Sequence, residues 1–202
     1  MAGKAFLSSW LHVLTRPYTP VFRDELARKS NLRTLIHVAV AAVLGIGLSW
    51  LAHLLFGRPA REFMGLASVW VPAGTQPPFS SWAAVVPAGV ILGFYDFQIV
   101  LFIFARLLGG RGSFGAQAYL QSLFYAPLAV VQQVFSVTPV VGLPLFALLA
   151  VCSLLPTTTS LKAAHGYSTR RAVATWLLPI LLNILVVFVV VMILTARAAR
   201  QA

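Results

Sequence analysis

Five long apolar runs constrain this sequence of 202 residues more than any other feature. They cover approximately residues 35–56, 83–105, 116–137, 140–161 and 172–196. Each is long enough for a helix to cross a hydrocarbon core about 30 Å thick, which takes about 20 residues. Because that core holds no water, the backbone must satisfy its own hydrogen bonds, as a helix does. The runs therefore predict an all-α, polytopic membrane protein with a bundle of five transmembrane helices.

The composition of the chain excludes an ordinary soluble domain. Charged residues make up only 9% of it and the mean hydropathy is +0.88, whereas a soluble domain carries about 25% charged residues. Fifteen Lys and Arg outnumber four Asp and Glu, but these bases lie between the apolar runs, and no base-reading motif or zinc-ligand spacing accompanies them. We therefore expect the chain to bind the anionic headgroups of a lipid bilayer and not nucleic acid.

The basic residues also predict an orientation. Eleven of them lie before the first run, between the second and third, or between the fourth and fifth, and the side richer in Lys and Arg is normally cytoplasmic. We therefore expect a cytoplasmic amino segment (1–34), a transmembrane domain (35–196) and a short non-cytoplasmic tail (197–202). Arg outnumbers Lys by twelve to three, which is typical of a GC-rich prokaryotic genome and would place the chain in the cell (inner) membrane.

Two local patterns refine this picture. Apolar side chains at helical spacing near the amino end predict a short amphipathic helix on the cytoplasmic surface, with Phe6, Leu7, Trp10, Leu11 and Leu14 on its apolar face. The third and fourth runs are separated by little more than Thr138 and Pro139. They are predicted to form a tight helical hairpin, with a re-entrant pair as the alternative.

Asp96 is the only carboxylate of the sequence at membrane depth. A carboxylate at the centre of a transmembrane helix costs roughly 2.5–3.5 kcal/mol on insertion scales, so such groups face protein or water and often mark function. No second acid or lysine at that depth completes a proton relay. Asp96 is therefore predicted to be either a hydrogen-bonded packing residue or part of an ion-linked site.

Further polar residues inside the runs are predicted to face neighbouring helices. Gln117, Gln121, Tyr125 and Gln132 share one helical face of the third run. Interhelical hydrogen bonds to Asp96 or Asn183 explain this face, and a wet cavity is the alternative. His37, near the cytoplasmic end of the first run, is predicted to be an interface residue or a titrating group.

Sequence signatures of catalysis are absent. The chain contains no GxxxxGK[ST], HExxH, GxSxG or CxxC motif, and its single cysteine is Cys152. We therefore predict no catalytic residue, no metal ligand and no cofactor.

The segment FARLLGGRGSFGAQAYLQSLFYAPL resembles the signature of the Yip (Ypt-interacting protein) domain family, and the resemblance extends over roughly Arg16 to Leu194. The matching positions are Gly109, Gly110, Gly112, Ser113, Phe114, Tyr125 and Pro127. Glycines there allow positive φ in a tight turn, and Ser113 is suited to cap the next helix. Bases in the two adjoining loops are predicted to contact lipid headgroups: Arg106, Arg111, Arg170 and Arg171.

The resemblance implies a five-helix bundle with a cytosolic amino end. Eukaryotic members are linked to vesicle trafficking and Rab-type GTPases, often through a longer amino segment, and the shorter segment here disfavours a small GTPase as partner. The leading hypothesis is a non-enzymatic membrane-organising or adaptor protein that binds lipids, other membrane proteins or a second copy of itself. The alternatives are a small transporter or channel subunit using Asp96 and the face of Gln117, Gln121 and Gln132, and an accessory subunit of a larger membrane complex.

Overall fold

The computed structural model describes residues 2–56, 79–136 and 139–199, and every regular element in these ranges is an α-helix. The predicted all-α class is confirmed. The helices are α1 (Ala2–Thr15), α2 (Thr19–Leu26), α3 (Asn31–Phe56), α4 (Phe79–Leu107), α5 (Phe114–Ser136), α6 (Pro139–His165) and α7 (Thr169–Ala199).

Four of these helices contain stretches long and apolar enough to cross a membrane: Asn31–Leu48, Pro87–Leu107, Ala147–His165 and Thr169–Arg197. They correspond to the first, second, fourth and fifth predicted runs, so the multi-pass fold is confirmed. The predicted count of five is not confirmed by length and composition. The third run is α5, whose 23 residues include four glutamines that lower its hydropathy.

α5 forms the centre of the bundle. It packs against α3 and α6 most extensively and also against α1, α2 and α4. The main cluster of buried apolar side chains draws on five helices and comprises Trp10, Val13, Phe22, Ala41, Tyr119, Leu120, Leu123, Phe124, Ala126 and Ala163. Because α5 is enclosed on several sides, its polar side chains must find partners within the protein.

The amino segment, α1 and α2, packs into this core. Trp10 and Val13 of α1 and Phe22 of α2 are buried against the bundle, whereas Leu11 and Leu14 are exposed. The predicted apolar face of α1 is therefore divided between protein contacts and the surface. The side chains of residues 6 and 7 lie outside the described part of the chain.

The outer half of α7 is exposed to the surroundings of the bundle. Ala172 and Thr175 near its start are buried, but every side chain from 180 to 197 is exposed. Such a helix, apolar on all sides, is suited to contact lipid. Residues 57–78 and the part of the predicted tail beyond residue 199 lie outside the described residues.

Candidate functional site at the junction of two turns

Two turns meet at one end of the bundle, which we call the turn end: residues 108–113 between α4 and α5, and residues 166–168 between α6 and α7. The first turn begins with a Schellman motif, in which the N–H of Gly109 donates to Arg106 O (3.0 Å) and the N–H of Gly110 donates to Ala105 O (2.8 Å). Gly109 has a φ of +84°. Glycine adopts this left-handed conformation without steric cost, so Gly109 ends α4 and reverses the chain.

Of the three glycines predicted to allow positive φ in this turn, only Gly109 adopts it, and Gly110 and Gly112 instead let other parts of the chain approach closely. A Cβ on Gly112 would lie 2.1 Å from the carbonyl oxygen of Ala164, and one on Gly110 would lie 2.7 Å from Nδ1 of His165. Only a residue without a side chain lets this turn lie against the end of α6.

The predicted cap of α5 is confirmed. Ser113 Oγ accepts a hydrogen bond from the N–H of Ala116 (3.2 Å) and so satisfies one of the free donors of the first helical turn. Phe114, the next residue, packs its ring against Phe102 and Tyr95 of α4. These contacts set the direction in which α5 leaves the turn.

The second turn also depends on a glycine. Gly166 has a φ of +69°, and its N–H donates to Lys162 O (2.9 Å), which ends α6. Tyr167 stacks on His165 with ring centroids 5.4 Å apart. Burial raises the pKa of Tyr167, so its hydroxyl stays protonated and donates to Thr175 Oγ1 (2.8 Å), which in turn donates to Arg171 O.

His165 joins the two turns. Its Nδ1 accepts a hydrogen bond from the N–H of Gly112 (3.2 Å), and its carbonyl oxygen accepts one from the N–H of Arg111 (3.4 Å). Nε2 therefore carries the hydrogen and donates to Gln117 Oε1 (2.9 Å). A buried imidazole thus fixes the α4–α5 turn to α6.

The hydrogen-bonded chain continues from α5 to α4. Gln117 Nε2 donates to the carbonyl oxygen of Gln98 (3.0 Å) and to its Oε1 (3.1 Å). One turn along α5, Gln121 donates to Ser160 Oγ of α6 (3.0 Å). The two bonds from α5 to α6 run in antiparallel register, which is what the predicted hairpin requires. We call His165, Gln117, Gln98, Gln121 and Ser160 the polar network.

These contacts correct the expected partners of the glutamine face. Asp96 lies on the exposed side of α4 and Asn183 on the exposed part of α7, so neither meets the buried Gln117 and Gln121. Gln98, two residues beyond Asp96, faces the bundle instead, because two residues turn a helix by about 200°. Tyr125 and Gln132 are only partly buried, so the predicted face does not form one continuous polar path.

A buried carboxylate that the sequence analysis missed holds the amino segment. Glu25 is 5% exposed, and it accepts hydrogen bonds from Ser9 Oγ (3.0 Å) and Tyr119 OH (3.2 Å). Arg28 forms an ion pair with it at 3.5 Å. The signal in the sequence is the position of Glu25 three residues after Phe22, on the apolar face of a short helix.

His37 belongs to the same region. Nδ1 of His37 accepts a hydrogen bond from Nε1 of Trp10, and its ring lies edge-on to Tyr119 with centroids 6.0 Å apart. His37 is 3% exposed. Its position supports the interface interpretation, since α3 is joined through it to α1 and α5.

The four arginines predicted to contact headgroups are all exposed at the turn end. Within the described residues, no group of three or more His, Cys, Asp or Glu side chains is placed to hold a metal ion. The side chains of the polar network bond α4, α5 and α6 to one another, and the exposed side chains of the turn end are basic.

In the comparison with family models, residues 11–191 match the Yip1 domain. Neither the search of curated proteins nor the search of solved structures found a match. The matched range includes both turns, the polar network and Glu25. The chain therefore belongs to the Yip1 domain family of membrane proteins.

Proposed function

We propose that this chain is a non-enzymatic membrane-organising or adaptor protein that holds other membrane proteins. The proposal rests on one observation, which is that the buried polar side chains form hydrogen bonds within the bundle. Those of α4, α5 and α6 bond to one another, and Glu25 of the amino segment accepts a hydrogen bond from Tyr119 of α5. A bundle whose buried polar side chains are paired internally, with only Nε2 of Gln98 left without a partner among the described residues, is suited to present a rigid outer surface.

We also propose five spans, with the amino end in the cytoplasm and the carboxyl end outside. In addition to the four helices named above, α5 is the remaining span, the third along the chain, because its 23 residues reach about 35 Å at 1.5 Å per residue. Its glutamines do not argue against this, since Gln117 and Gln121 are buried within the bundle. The turn end, which carries exposed arginines, is then the cytoplasmic end.

Affinity capture tests the adaptor role. The full chain is captured from its own membranes after crosslinking, beside a variant with Leu11→Ser and Tyr18→Ser. Both side chains are 63% exposed on the amino segment, so the fold should survive. We expect a membrane protein captured by the wild type in near-stoichiometric amount and lost with the variant. Capture of nothing beyond background, or equal capture by both, would contradict the proposal. Recovery of a small GTPase or of a second copy alone would redefine the partner.

A proteoliposome flux assay tests the rival, a small transporter or channel subunit. The rival requires Asp96 and the glutamine face to line one path, yet Asp96 is exposed on α4 while Gln117 and Gln121 are buried and bonded. We expect no proton or solute flux above that of empty vesicles. A flux that Asp96→Asn abolishes would overturn the adaptor proposal.

A further inference from the structure

Four arginines from two separate loops lie together at the turn end: Arg106 and Arg111 at the first turn, Arg170 and Arg171 at the second. All four are exposed, and within the described residues no Asp or Glu forms an ion pair with any of them. Their charges are therefore free to bind an external anion.

Two of the guanidinium groups contact one turn. Arg106 donates to the carbonyl oxygen of Gly110 (3.3 Å), and its Cζ lies 5.0 Å from the centroid of the Phe102 ring. A guanidinium nitrogen of Arg171 lies 3.5 Å from the position that a Cβ on Gly109 would occupy. Each guanidinium has five N–H donors, so both retain donors for a ligand.

The two loops are fixed to each other. Backbone N–H groups of Arg111 and Gly112 donate to His165, and only residues 166–168 separate His165 from α7. A surface whose parts are already held in place loses little conformational freedom when it binds a ligand.

The surroundings favour a lipid over a free phosphate ion. Apolar spans end at Leu107 and begin at Thr169, so the arginines lie where a bilayer has its headgroups. Ile103, one helical turn before Arg106 and therefore on its membrane side, is 52% exposed, and Leu107 at the end of α4 is 75% exposed. A phospholipid matches this order, with a phosphate beside the guanidinium groups and acyl chains along α4.

We propose that the surface formed by Arg106, Arg111, Arg170 and Arg171 binds the phosphate of an anionic phospholipid. The guanidinium groups of Arg106 and Arg171 hold the phosphate on either side of the Gly109–Gly110 turn, and Arg111 and Arg170 add charge around it. This inference rests on the proposed membrane placement of the turn end and not on the adaptor role.

The test measures lipid binding by the full chain purified in a neutral detergent. Short-chain phosphatidylglycerol is titrated into the wild type, into the double variant Arg106→Gln/Arg171→Gln, and into a control, Arg23→Gln/Lys29→Gln. The control removes the same charge from exposed positions around α2. We expect the affinity to fall roughly tenfold or more in the first variant and less than about twofold in the control.

Further titrations with other compounds identify the ligand. Short-chain phosphatidylcholine should bind more weakly than phosphatidylglycerol, and inorganic phosphate should compete only at far higher concentration. Equal losses in the variant and the control would show diffuse attraction and overturn the proposal, as would inorganic phosphate binding as tightly as the lipid. If Arg106→Gln does not fold, Arg170→Gln/Arg171→Gln replaces it with the same expectation. Unchanged lipid affinity in the double variant, with protein capture by the wild type intact, would refute this inference and leave the adaptor proposal standing.

Discussion

Single residues decide how closely the two turns approach each other. For Gly112→Ala, we expect the free energy of unfolding to fall by roughly 3 kcal/mol, because the new Cβ would overlap the backbone of Ala164 at 2.1 Å. Thermal unfolding in detergent measures the loss. The matched control is Gly47→Ala, where nothing lies within 4 Å and the change should be neutral or stabilising by up to about 1 kcal/mol. Equal unfolding temperatures for the two variants would contradict the proposed close contact.

Glu25 is the second position where one residue decides a contact. Glu25→Ala leaves the hydroxyls of Ser9 and Tyr119 buried without their acceptor, so we expect a loss of about 2–4 kcal/mol. Trypsin should then cleave more quickly after Arg28 and Lys29, as the amino segment detaches. The control is Asp24→Ala, which changes an exposed neighbouring residue and should be cleaved at the wild-type rate. Equal cleavage rates for the Glu25→Ala and Asp24→Ala variants would rule out this role of Glu25.

Among the helices, α5 and α7 have opposite environments, and one substitution in each tests this. Leu123 on α5 is fully buried, whereas Leu185 on α7 is 57% exposed. Leu123→Ala should lower the free energy of unfolding in detergent by about 2–5 kcal/mol through the lost burial and the cavity. Leu185→Ala should change it by about 0.5 kcal/mol or less. A larger loss at Leu185 would mean that α7 packs against the bundle along its length.

The elements also show how far local patterns predict a structure. The ends of α4, α5 and α6 at the turns follow from Gly109, Ser113 and Gly166, because capping is a contact between residues close in the sequence. The partner of Gln117 does not follow from any such pattern. Whether Asp96 or Gln98 faces α5 depends on the rotation of α4 about its axis, which packing against distant helices decides.

At the scale of the whole molecule, the number of spans determines where the chain ends. After Cys152→Ser removes the native cysteine, Gln201→Cys should react with a membrane-impermeant thiol reagent only from outside, because five spans place the two ends on opposite sides. Ser168→Cys, exposed in the second turn, should react only from the cytoplasm and serves as the control. Labelling of both positions from the same side would refute the five-span topology.

The sequence by itself determined that the chain is helical and multi-pass, where four of its spans lie and how its turns are capped, because hydropathy and capping are properties of neighbouring residues. Tertiary structure alone decided the rest. It buried Glu25 between the amino segment and α5, paired Gln117 with Gln98 and His165, left Asp96 outside, and brought arginines some sixty positions apart in the sequence to one surface. These outcomes depend on which faces of distant helices meet, and only the packing of the whole bundle settles that.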